Sequence, residues 1–179
     1  MAHPQSHTSH NLDDNDLNMV EVWLRADPSR WIAGIFAGWL AGAVAMGVAG
    51  IVASMGGYDF LMPVKLMATP FLGNAATAAG NSAAVAVGFA LVEAIAGFWG
   101  FVFAHFVFTN AIGSLLAMGL AWGAFTWIFT WNLFLQSFRD LNAAKISAGP
   151  AFPVCMAYGL SMVTVAVFDR MFRRAPSTR

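Results

Sequence analysis

The chain carries almost no charge where a soluble protein of its size would carry most of it. Only 10% of its 179 residues are Asp, Glu, Lys or Arg, against about 25% in an ordinary globular domain. The few charges are also pushed outward. Five of the nine acids precede Arg30, and four of the nine bases follow Asp169. From Ala83 to Leu135, 53 residues pass without Lys, Arg, Asp or Pro, and Glu93 and His105 are the only ionisable side chains. Cysteine is nearly absent too. With Cys155 alone, an intramolecular disulfide is excluded, and so is any cysteine-built zinc or iron–sulfur site. Cys155 itself reads as a small apolar core residue of a helix. The formal net charge is zero, so there is no basic footprint for nucleic acid. No phosphate loop, nucleophile triad or carboxylate dyad occurs. The first 30 residues lack the apolar core of a signal peptide, so the first apolar helix is expected to act as an uncleaved insertion signal.

Long apolar runs are what the chain has instead. It is 59% hydrophobic with a mean hydropathy of +0.65. One helix through residues 83–135 would reach about 80 Å, far beyond a hydrocarbon core of about 30 Å. The stretch should therefore fold back and cross a bilayer twice, turning at Thr109-Asn110 and Gly113. The expected fold is all-α, a polytopic membrane protein with a four-transmembrane-helix bundle. Its spans are expected at about 31–54, 83–108, 111–135 and 150–170, within a membrane domain of residues 31–171. Gly56-Gly57 ends the first span, and Pro150 and Pro153 start the fourth. Residues 58–82 make too long a connection to be bare. Their apolar part, Phe60–Leu72, is interrupted by Pro63 and Pro70, with Asp59 and Lys65 as the charges nearby. It suits an interfacial or re-entrant segment between the first two spans. No convincing internal repeat is seen, although two hairpins could be arranged two-plus-two.

The ends are polar. Residues 1–30 form a tail with a short amphipathic piece, Leu17–Leu24, followed by Asp27 as N-cap and Pro28 in the first helical turn. Residues 172–179 form a basic tail. His3, His7 and His10 are a loose histidine tract, which is weak compositional evidence for metal. Four spans put both termini on one side. That side would hold Arg25, Arg30, Arg170, Arg173, Arg174 and Arg179, against Lys65, Arg139 and Lys145 on the other. The bias favours cytoplasmic termini.

Four features could carry function. Glu93 is an ionisable group inside a span, which is costly and therefore a functional-site candidate. It suits a proton relay or a polar contact to a quinol, haem or partner, a hydrogen bond to a neighbouring helix, or a wet position near the headgroups. His105 follows twelve residues later, about 18 Å along the same helix and about 120° around it. The two cannot form one site by themselves. A haem held by two histidines would need a second chain. Gly34, Gly38 and Gly42 share a face of the first span and let another helix approach closely, either within this chain or from a partner. The third span is rich in aromatics, with Trp122, Phe125, Trp127, Phe129, Trp131 and Phe134.

Four short spans, a glycine-rich first span, the segment bearing Asp59, Pro63, Lys65 and Gly73, and His105 late in the second span together resemble the small four-helix bacterial inner-membrane proteins of the YagU-like type. The likeness covers about residues 31–170. It implies a bacterial inner membrane and no assigned chemistry. The leading expectation is a non-catalytic accessory subunit of a larger membrane complex, respiratory or electron-transfer. Its partners would be other integral membrane subunits and lipids. No cofactor is expected on this chain alone, although lipid, quinone or haem could sit at an interface. The alternatives are a small homo-oligomeric transporter or channel using Glu93, and a haem- or quinone-binding membrane anchor.

Overall fold

The computed structural model describes residues 27–107, 109–130 and 148–174, and every described element is helical. Four helices are long and apolar enough to cross a membrane: Pro28–Met55, Ser82–Phe106, Ile112–Phe129 and Gly149–Arg173. The chain is thus a multi-pass membrane protein built as an all-α bundle.

The first span, α1 (Pro28–Met55), begins where Pro28 needs no N–H partner and Asp27 supplies the cap. The Asp27 carboxylate accepts the Arg30 amide at 3.3 Å and the Ser29 hydroxyl at 2.6 Å. It ends at Gly56, and Gly57 turns the chain at φ +79°, a conformation that needs glycine. Two short helices follow, α2 (Met62–Met67) and α3 (Thr69–Leu72), then a 3₁₀ turn at Gly73–Thr77. This segment packs along the ends of the first two spans. Phe60 lies on Gly50, and the Val64 carbonyl lies on Gly88, where a Cβ would collide with it.

The second span, α4 (Ser82–Phe106), is capped by Asn81, whose side chain accepts the Ala84 amide at 3.0 Å. The third span is α5 (Ile112–Phe129). The expected end of that span, up to residue 135, and the polar link after it lie outside the described residues, as do the N-terminal tail and its histidines. The fourth span consists of α6 (Ala148–Ser161), one 3₁₀ turn at Met162–Thr164, and α7 (Val165–Arg174). Pro153 lies inside the helix instead of at its start. The 3₁₀ turn falls where Ser161 and Thr164 hydroxyls bond back to the Ala157 and Ser161 carbonyls, both at 2.8 Å. The helix runs on to Arg174, so the first residues of the expected basic tail are helical.

Small residues decide how the spans meet. A Cβ on Gly34 or Gly38 would collide with the Gly100 or Ala96 carbonyl oxygen of α4, and one on Gly42 with the Ala96 methyl. The glycine stripe is therefore used inside the chain, between the first two spans. A second glycine contact joins the third and fourth: Gly119 meets the Gly159 carbonyl, Gly159 meets the Gly119 carbonyl, and Gly123 meets that of Cys155. In hydrocarbon, such close packing replaces the hydrophobic drive that holds helices together in water. The two pairs are joined through α1, which packs on α6 and α7 as well as on α4. Ala33, Ala37, Ala41 and Ala45 are buried there with Tyr158, Met162, Val165 and Ala166.

The second and third spans behave differently. They are consecutive and closely linked, yet their backbones scarcely approach. Aromatic side chains close the gap. Trp99 on α4 meets Trp122, Phe125 and Phe129 on α5 at ring distances of 5.8, 5.8 and 5.0 Å, and Phe103 meets Trp122 at 5.6 Å.

Candidate functional site

Glu93 lies eleven residues after Ser82 and thirteen before Phe106, so it sits at the middle of α4. Its carboxylate faces Gly42, itself central in α1, and lies within electrostatic reach of Tyr158 on α6. Its Oε1 is buried and has no hydrogen-bond partner among the described residues. The Tyr158 hydroxyl is already engaged, because it donates to the Ala96 carbonyl at 2.8 Å. A buried acceptor left without a donor is unusual and costs free energy. A carboxyl in such a place can hold a proton, or bond to a group brought by a partner or ligand.

His105 is not part of that site. It lies in the last turn of α4 among rings: Trp31 at 6.0 Å, Phe101 at 6.4 Å and Phe106 at 5.3 Å. Among the described residues no three His, Cys, Asp or Glu side chains come together to hold a metal. Cys155 is partly buried and lies beside Thr126.

A larger polar constellation lies at the end of the bundle that holds the start of α1, and sequence reasoning had treated its residues as flanking charges. Arg30 is only 6% exposed. Its Nε donates to the Val107 carbonyl at 2.9 Å, and its Nη2 to the same carbonyl and to that of Thr109, the latter at 3.1 Å. Its Nη1 reaches the Asn110 side chain at 3.1 Å and Asp169 at 3.4 Å. Asp169 is 1% exposed and also accepts from Asn110 at 3.1 Å and Arg173 at 2.9 Å. Arg173 continues to Asp27. Arg30 thus holds the end of the second span, the turn before the third and the end of the fourth. The carbonyls that a helix end leaves open are satisfied by a guanidinium from another helix. The forked donors of Arg suit this task where Lys would not. The one advance signal was an Arg two residues into an apolar helix; its partner, 139 residues away, leaves no local trace.

At the opposite end, Lys65 pairs with Asp59 at 2.5 Å. Lys65 is buried, and its ammonium holds the Asp59 carboxyl below the usual carboxylate range, helped by the Leu61 amide.

The aromatic gap between the second and third spans is the most distinctive outward-facing feature. Phe125 is 43% exposed and Phe98 is 59% exposed, while the Trp122 indole N–H is buried without a partner among the described residues. No family model matches the chain, and no curated protein or solved structure matches it either.

Proposed function

We propose that this chain is a non-catalytic accessory subunit of a larger complex in a bacterial inner membrane, of the respiratory or electron-transfer kind. The observation that supports this reading is the aromatic seam. Helices in lipid associate by close packing, and three helix pairs in this bundle do so, but the second and third spans do not. Their facing surfaces are finished with large rings, of which Phe125 is open to the outside, as a seat for another membrane helix would be. The glycine stripe is taken up within the chain and does not serve a partner, and the seam offers a different surface for one. The YagU-like resemblance agrees with the same compartment. Solubilisation in mild detergent followed by native electrophoresis tests the proposal. The chain should migrate with other subunits in a larger species. Migration only as a free monomer or a simple homo-oligomer would contradict it.

A second reading rests on a different observation. Glu93 places at mid-span a carboxyl oxygen without a partner among the described residues, which suits a proton-coupled transporter or channel formed by several copies. Glu93→Gln in proteoliposomes should then abolish the pH dependence of flux. Unchanged flux and unchanged pH dependence would remove this reading.

A further inference from the structure

A groove of about 630 Å³ opens at the start of the second span, at the end of the bundle away from Arg30. It lies between the α2 segment and the first two turns of α4. Its character changes along its length. Asp59, Lys65, Asn81 and Ser82 line one part, and Val85 and Phe89 line the other. The apolar part is open to the side, with Phe89 46% exposed. The α2 segment rests against Gly50 and Gly88, within the last turns of α1 and the first turns of α4. That is the depth at which phospholipid headgroups give way to acyl chains.

The polar part is a charge pair of unequal exposure. The Lys65 side chain is 6% exposed, and that of Asp59 is 47% exposed. An ammonium has three donors, and among the described residues Lys65 gives one of them to Asp59. Asp59 accepts from Lys65 on Oδ2 and from the Leu61 amide on Oδ1, at 3.2 Å, which leaves acceptor capacity at the open rim. The groove therefore offers a donor inside and an acceptor outside, above an apolar wall. We propose that it binds a phospholipid of the ethanolamine type. The headgroup phosphate lies against Lys65, the headgroup ammonium against Asp59, and an acyl chain along Val85 and Phe89. A purely anionic headgroup would meet Asp59 with like charge. A choline headgroup has no N–H to donate to it.

Native mass spectrometry tests the assignment on the purified full chain. The protein is incubated with equal amounts of phosphatidylethanolamine, phosphatidylglycerol and phosphatidylcholine of matched chains. One phosphatidylethanolamine should be retained about tenfold over either competitor, the scale of one charge-assisted contact. Asp59→Asn should level ethanolamine against glycerol headgroups. Ala86→Trp fills the groove from its exposed wall and leaves both charged residues in the sequence. It should lower retention of phosphatidylethanolamine about tenfold while leaving the thermal stability of the lipid-free protein unchanged. No headgroup preference, a preference for phosphatidylglycerol, or a preference that survives both substitutions would overturn the proposal.

Discussion

Arg30 is the residue on which one end of the molecule depends. Its guanidinium is shared among two backbone carbonyls, an amide side chain and a buried carboxylate. Removing it takes one of the two cations from buried Asp169 and leaves two carbonyls without that donor. Breaking a buried pair outright costs about 3–5 kcal/mol, and because Arg173 and Asn110 still serve Asp169 the lower figure applies. Arg30→Ala should therefore lower the stability of the detergent-solubilised protein by about that amount in reversible unfolding. Arg30→Lys should recover only part of it, because a single ammonium cannot span the fork. Full recovery by Lys would show that only the charge matters. The exposed side of the same cluster sets a pH response. Burial works to raise the Asp27 carboxyl, but bonds from Ser29, Arg173 and the Arg30 amide outweigh it and hold it below its usual 3.8. A carboxyl lowered on folding contributes stability above its unfolded value and loses it as pH falls through its folded value. The midpoint of thermal unfolding should be flat from about pH 7 to 5 and fall below about pH 4. Asp27→Asn should flatten part of that fall; an unchanged profile would remove Asp27 as a contributor.

At the scale of elements, close approach is what organises the spans. The Gly119–Gly159–Gly123 contact has no room for a side chain, because the carbonyls opposite are backbone and cannot move aside. Gly159→Val should destabilise the pairing of α5 and α6 by about 1–3 kcal/mol, as overpacking generally does. Thermal unfolding in detergent would read this. Gly149→Val, where a Cβ meets nothing within 4 Å among the described residues, is the control and should be near neutral. Helix existence was legible in the sequence because hydropathy and length carry it. The Asp27 cap, Pro28 in the first turn and the stop at Gly56-Gly57 were legible for the same local reasons. The separation of Glu93 from His105 followed from helix geometry alone. What surrounds Glu93 was not legible. Gly42 and Tyr158 reach it from two other helices, and only their packing reveals that one oxygen lacks a donor among the described residues. The destination of the glycine stripe was equally open, because a face of Gly34, Gly38 and Gly42 fits an internal helix and a foreign one alike.

For the whole molecule, the bundle is two glycine-packed pairs held together through α1 and fastened at one end by the Arg30 cluster. Sequence reasoning had no access to the seam. Spans linked by a short turn are expected to be neighbours, and only the packing shows that α4 and α5 meet through their rings. Orientation is a testable property at this scale. The start of α1, the turn before α5 and the end of α7 share one end, and the α2–α3 segment lies at the other. The excess of Arg at the first end predicts that it faces the cytoplasm. In a Cys155→Ala background, Asn74→Cys, exposed at the second end, should react with an impermeant maleimide in cells whose outer membrane alone is permeabilised. Reaction only after the inner membrane is opened would reverse the orientation.

The central claim is that the aromatic seam seats another membrane subunit, and photo-crosslinking in native membranes tests it most directly. A photoreactive phenylalanine analogue replaces Phe125 in the seam, with Ile51, exposed on α1 away from it, as control. A discrete crosslink from position 125 to a second, different polypeptide is expected, and none from position 51. Crosslinks to lipid alone, or equally to other copies of this chain from both positions, would contradict it.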